Sequence, residues 1–163
     1  MKHTALAYAT ENSFLGPVTA VYQGETLCFL GFGLKAHEEA LELWPTAVKT
    51  SKVDLIADLH AHFAQETTPE LLLAGTPFQR AVWDALRTIP YGSTTTYKAI
   101  ASKLGRPTAV RAVANAIGQN PISLFIPCHR VIGSTGKLHG YRWGLEVKKA
   151  LLTREAEKQE KPC

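Results

Sequence analysis

Ile126-Pro127-Cys128-His129-Arg130-Val131-Ile132 is the stretch from which the rest of the chain is best read. A cysteine stands between a proline and a histidine inside a short apolar run. Proline fixes its own φ and pushes the residue before it toward extended geometry. Phe125, Ile126 and Pro127 are therefore predicted to deliver Cys128 on a stiff backbone, at the end of a short strand-like segment. A thiol becomes a nucleophile when a base or a positive charge lowers its pKa, and His129 and Arg130 supply both within two residues. A lone cysteine in an apolar run is more often a small buried hydrophobe, so the adjacency alone leaves both readings open.

Outward from that stretch, the basic residues gather on the same side of the chain. Residues 75–163 hold 14 Lys/Arg and 5 Asp/Glu, net +9, whereas residues 1–74 hold 4 and 9, net −5. One acidic half joined to one basic half is the footprint of a polyanion-binding domain beside a non-binding one. The 163 residues allow one or two small domains, and 45% hydrophobic with 20% charged residues is ordinary for a globular protein. No apolar run approaches the ~20 residues that span a bilayer, and the N-terminus is no signal h-region. Cys28, Cys128 and Cys163 make no even framework, which suits a reducing compartment.

The basic half reads as mainly helical. Thr76-Pro77 starts a helix, with Thr at the cap and Pro in the first position. Phe78, Ala81, Val82, Ala85, Leu86 and Ile89 give it an inward stripe. Pro90-Tyr91-Gly92 ends it. Thr96 caps a short helix over Tyr97–Leu104, stopped by Gly105. A third helix runs from Thr108 to Gly118, with Ala109, Ala112, Val113, Ala116 and Ile117 inward and Arg111, Ala114, Asn115 and Gly118 outward. Helix, tight turn with glycine, helix is a helix-turn-helix, and its outer face is small apart from one arginine. A last helix covers Leu145–Glu157 and places Glu155 on the apolar face of Leu151 and Leu152, where a carboxylate needs a partner.

The acidic half reads as strands at 4–9, 17–22 and 26–32 in an antiparallel meander, then a helix over Ala36–Trp44 and another after Ser51. Val53, Ile56, Ala57, Leu59/His60 and Phe63 form the second helix's stripe. Residues 66–76 read as the linker. The expected fold class is α+β: a small β-meander and helix (RNase H-like) domain over residues 1–74, and a mainly α, winged helix-turn-helix-like domain over residues 75–163.

Asn120-Pro121-Ile122-Ser123-Leu124-Phe125-Ile126-Pro127-Cys128-His129-Arg130-Val131 resembles the active-site segment of the O6-alkylguanine-DNA alkyltransferases, the methylated-DNA–protein-cysteine methyltransferases. The resemblance extends from about Gly75 to Glu155. It includes Thr76-Pro77-Phe78-Gln79, Arg111-Ala112-Val113 and Gly140-Tyr141-Arg142-Trp143-Gly144. The resemblance implies direct-reversal repair: the methyl group of O6-methylguanine, and of O4-methylthymine, passes from a flipped-out base to Cys128, once per chain. It implies that His129 acts as base through a bridging water, that Glu155 orients His129, that Tyr97 donates a proton toward the guanine ring, and that Asn120 ties the cysteine segment to the helix-turn-helix. Arg130 would hold the segment by ion pairing.

By the same resemblance, DNA is met in the minor groove by Arg111, Ala114, Gly118, Thr95 and Thr96, with Arg111 filling the place of the flipped nucleotide. Val131, Tyr141, Arg142 and Trp143 form the substrate pocket, and Trp143 is expected to crowd the alkyl side and favour methyl over benzyl. No cofactor is implied, because the lesion itself supplies the alkyl group. Some alkyltransferases carry a structural zinc, but this chain lacks the paired cysteines for it, so no metal is expected. Expected partners are double-stranded DNA containing O6-alkylguanine, with no membrane and no second protomer. Expected localisation is cytoplasmic, on the nucleoid, or nuclear in a eukaryote. The alternative is a non-enzymatic alkylated-DNA damage-binding protein. Such relatives replace the nucleophile, and Cys128 is present here.

Overall fold

The computed structural model describes residues 5–51, 54–65, 67–136, 138 and 140–160. The chain divides into two compact units, Met1–Leu73 and Ala74–Cys163, and each has its own core. Among the described residues no helix is long and apolar enough to cross a membrane.

In the first unit β1 (Leu6–Ser13), β2 (Gly16–Gln23) and β3 (Thr26–Phe32) form the antiparallel meander. A two-residue strand β4 (Val48–Lys49) adds in parallel to β1, giving the order β3-β2-β1-β4. Helix α1 (Leu34–Leu43) packs on β2 and β3, and α2 (Leu55–Gln65) on β1. The sheet's buried residues include Val18, Val21, Leu27, Phe29, Leu30 and Phe32. Thr10 also bonds the fully buried Thr19 hydroxyl and His37 Nδ1, each at 2.9 Å.

Strand β4 adds to the expected elements, and three expectations for this unit are corrected. Strand β4 is too short and too exposed to carry a periodic signal. Helix α2 is capped by Asp54, whose Oδ1 accepts from the Ala57 N–H at 2.9 Å, rather than started at Ser51. Its inward residues are Leu55, Leu59, His62 and Phe63, while Ala57 and His60 face water; Val53 lies outside the described residues. Residues expected as linker are partly structural: Leu27 N–H donates to Glu70 O at 2.8 Å and Leu72 N–H to Leu27 O at 2.9 Å. Backbone pairing of this kind needs no side-chain pattern.

The second unit begins with α3 (Pro77–Leu86), closed by a full capping box between Thr76 and Gln79. Its buried residues are Val82, Trp83, Ala85 and Leu86, with Ile89 just beyond; Ala81 is exposed. The Trp83 indole N–H donates to Ala116 O at 2.8 Å. A strand β5 (Thr95–Thr96), helix α4 (Tyr97–Lys103) and helix α5 (Val110–Gly118) follow. The Thr96 hydroxyl caps α4 on Ala99 N–H at 3.0 Å, and Gly105, at φ +71°, lies just past its end. Helices α3, α4 and α5 pack on one another. In α5, Val113, Ala116 and Ile117 face inward, but Ala112 is exposed.

Cys128–Arg130 is a single 3-10 turn rather than the end of a strand. The strand comes afterwards, as β6 (Val131–Ile132), which pairs in parallel with β5. The last helix, α6 (Leu145–Glu160), packs against the 3-10 turn.

Candidate active site

The residues around Cys128 are placed by backbone that has little freedom. Asn120, 1% exposed, donates its side-chain N–H to Ile126 O at 2.8 Å and accepts from Ile122 N–H at 3.0 Å. It thereby closes the turn between them. Inside that turn Leu124 is fully buried at φ +75°, a left-handed conformation that costs a leucine ~1–3 kcal/mol and persists only when its surroundings impose it. Cys128 N–H then donates to Ile126 O at 2.7 Å. Downstream, the pairing of Thr95 with Val131 and Thr96 with Ile132 sets Tyr97, first residue of α4, beside the thiol.

Beneath the turn lies a buried ionic cluster. His129 Nε2 is 2.6 Å from Glu155 Oε1. Arg130 donates through Nε to Glu155 Oε2 at 2.9 Å, through Nη2 to Oε1 at 2.8 Å, and through Nη1 to Ile89 O at 2.8 Å. Burial pushes the Glu155 carboxyl up, but the bonds and charges of His129 and Arg130 outweigh it and hold it at about 2. Glu155 is therefore ionised at neutral pH and can only accept. The proton of a neutral His129 ring must sit on Nε2, which leaves Nδ1 with its lone pair. Nδ1 is buried and has no hydrogen-bond partner among the described residues. Burial also lowers the His129 pKa, against the pull of Glu155, so the ring stays neutral.

Burial pushes the Cys128 thiol up, opposed by the Asn120 amide, the Lys148 ammonium and the Ser123 hydroxyl. The resting pair is therefore a neutral thiol beside a neutral imidazole with a free acceptor. Lys148 is fully buried, donates from Nζ to Val131 O at 2.7 Å, and its own pKa is lowered by burial. Sequence reasoning missed it, since a lysine on a terminal helix reads as surface. Ser123 was missed for a similar reason; a serine in an apolar run carries no chemical signature.

Cys128 opens onto a cleft of about 50 Å³, lined also by Tyr97, Ala114, Ile117, Gly118, Asn120, Ser123, Gly140, Tyr141 and Arg142. Burial raises the Tyr97 phenol, as does the neighbouring Cys128. Two of the four expected pocket residues, Tyr141 and Arg142, line this cleft. Val131 and Trp143 do not. The Arg142 guanidinium stacks 4.7 Å from the Trp143 ring and donates to Asn120 O at 3.0 Å. A second, open groove shares Tyr97, Ala114 and Gly140 and runs along Thr96, Lys98, Arg111, Asn115 and Ser134. Arg111 is exposed on it. Thr95 is not in its lining, being occupied by the ladder with Val131.

A buried cysteine opening on a cleft, next to a helix-turn-helix and a groove lined by Lys98 and Arg111, is the arrangement expected of a protein that works on a nucleic acid through a thiol. Residues 77–157 match the family model described as the DNA-binding domain of 6-O-methylguanine DNA methyltransferase. The chain is 44% identical over 159 residues to a methylated-DNA–protein-cysteine methyltransferase of Mycobacterium tuberculosis, covering 96% of this chain and 94% of that one. The crystal structure of the M. tuberculosis O6-methylguanine methyltransferase superposes with a TM-score of 0.83 at 42% identity, over 97% of this chain and 96% of that one. A structure of the M. tuberculosis protein in complex with DNA superposes at 0.81 and 40% identity, over 93% and 94%. The chain belongs to the methylated-DNA–protein-cysteine methyltransferase family.

Proposed function

We propose that this protein binds duplex DNA, receives a flipped-out O6-methylguanine in the cleft above Cys128, and takes its methyl group irreversibly onto that sulfur. His129 Nδ1 accepts the thiol proton through a bridging water while Glu155 stabilises the imidazolium that forms. The sulfur attacks the methyl carbon in line, the carbon–O6 bond breaks, and its electron pair passes to the guanine ring. Tyr97 supplies the proton the ring gains and recovers one from His129. The products are guanine and S-methylcysteine. A thioether resists water, so each chain acts once, as a monomer, and needs no cofactor.

The observation that carries this reading is the buried His129–Glu155 pair, which leaves a basic nitrogen on the residue next in sequence to Cys128, whose thiol opens on the cleft. Residues 75–163 supply DNA binding and the acceptor, and residues 1–74 a structural domain. Arg111 takes the place of the flipped nucleotide, while Ala114 and Gly118 let α5 enter a narrow groove, and Thr96 contacts the strand nearby. O4-methylthymine is a second substrate. The chemistry requires a reducing compartment with access to DNA, which is the cytoplasm in a bacterium.

The test is intact and peptide mass spectrometry after mixing the protein with a duplex bearing one O6-methylguanine. One methyl on the Cys128 peptide, stopping at one per chain, is expected. Tight binding with no mass change would identify a damage sensor instead.

A further inference from the structure

Trp143 and Ser123 make a buried contact that the proposed chemistry does not use. The Trp143 indole N–H lies 2.7 Å from Ser123 Oγ, with Trp143 9% and Ser123 1% exposed. Indole nitrogen is a donor and never an acceptor. The serine oxygen must therefore accept from it, and the serine's own hydrogen must turn elsewhere. Ser123 lines the thiol cleft, which Trp143 does not. Facing that hydroxyl from the same cleft lining are the sulfur of Cys128 and the phenol oxygen of Tyr141.

We infer that Ser123 is a hydrogen-bond donor to the Cys128 thiolate, and that Trp143 is the positioning residue that turns the serine hydrogen toward it. Trp143 thus acts on the nucleophile through a bond to Ser123, and not only through its bulk. The electrostatics agree: the Ser123 hydroxyl favours both the thiolate and the Tyr141 phenolate. A donor aimed at a developing anion in a water-poor site is strengthened by the low local dielectric. Other groups also act on the sulfur: the Asn120 amide and the Lys148 ammonium favour the thiolate, and Tyr97 and Tyr141 face it across the cleft. None of them is altered in the variants below.

The inference rests on Cys128 being the acceptor, but its test does not use methyl transfer. The full-length protein is alkylated with iodoacetamide across pH 6–10 without DNA, and the Cys128 peptide is quantified by mass spectrometry. Ser123→Ala and Trp143→Phe are each expected to move the rate midpoint upward, by up to about one pH unit, with up to about tenfold slower labelling below it. Ser123→Thr, which keeps the hydroxyl, is expected to restore the wild-type midpoint. Trp143→Phe keeps an aromatic ring but loses the N–H, so an unchanged midpoint there would overturn the role of Trp143. Unchanged midpoints in both variants would overturn the whole inference. If Ser123→Ala fails to fold, Trp143→Phe against Ser123→Thr still decides. A protein that labels at Cys128 with these shifts, yet gains no methyl from lesion DNA, would refute the proposed function and leave this inference standing.

Discussion

His129 Nε2 and Glu155 Oε1 lie 2.6 Å apart with both side chains out of water, 0% and 1% exposed. Twenty-six positions of sequence separate them. The contact exists because α6 packs on the 3-10 turn that carries Cys128, so the geometry of the thiol's base depends on the docking of the last helix. Arg130 grips the same carboxylate, which ties the charge balance of the core to the acceptor site.

Glu155→Ala would leave the Arg130 guanidinium buried without its carboxylate. Breaking one side of a buried pair costs ~3–5 kcal/mol, to be read from the urea midpoint by circular dichroism. With His129 no longer oriented, methyl transfer from O6-methylguanine DNA is expected to slow ~10²–10⁴-fold. A variant that folds and transfers at the wild-type rate would exclude Glu155 from the mechanism.

Acid lability should follow from the same pair. The folded-state pKa values of Glu155 and His129 both lie below their unfolded values. Each therefore stabilises the fold above its unfolded pKa and loses that contribution as pH falls. Stability is expected to decline from about pH 6.5 as the unfolded chain takes up protons on histidine, and more steeply from about 4.5 toward 2 through Glu155. Thermal melts at pH 7, 5 and 3 would show it, and a melting temperature flat over that range would contradict the assignment.

Asn120→Ala removes a side chain that satisfies Ile126 O and Ile122 N–H in a buried turn. Unpaired buried groups cost ~1–3 kcal/mol each, and Leu124 would lose the frame that holds it in the left-handed region. A loss of ~2–4 kcal/mol in denaturant titrations is expected, together with reduced alkyl acceptance; a change below about 0.5 kcal/mol would contradict it.

Arg111→Ala is expected to weaken binding to lesion-bearing and undamaged duplex alike. The slope of log K against log salt should shrink by about one if the guanidinium meets phosphate. If it serves only in place of the flipped base, affinity for lesion DNA should fall with the slope unchanged.

Preference for methyl over benzyl is expected from the small cleft, with Arg142 held over Trp143 at its edge. Competition between the two lesions, in the wild type and in Trp143→Gly, measures it. Equal rates for both groups in the wild type, unchanged in the variant, would refute the expectation.

Much of the protein was determined by local sequence. The Pro127-Cys128-His129-Arg130 stretch, the Thr76-Pro77 start with Gln79 in the box, the Thr96 cap and the charge contrast between the halves are each encoded within a few residues. Local stereochemistry and solvation act over that range. Strand β4, the Leu27 pairing with Glu70 and Leu72, and the Asp54 cap escaped because two-residue strands and single caps leave almost no periodic trace. The inward turn of Trp83 and the outward turn of Ala81 and Ala112 were decided by which helix lies opposite.

The remaining decisions belonged to the tertiary structure alone. Only the docking of α6 makes Glu155 the partner of His129 and Arg130, and so assigns the free lone pair to Nδ1. Only burial converts Lys148 from a surface cation into a group that acts on the thiol. Only the fold puts Ser123 and Trp143 in contact, and leaves Val131 and Trp143 out of the lining of the cleft. Hydrogen bonding and charge depend on distance and on the exclusion of water, and residues twenty or more positions apart acquire both when the elements pack.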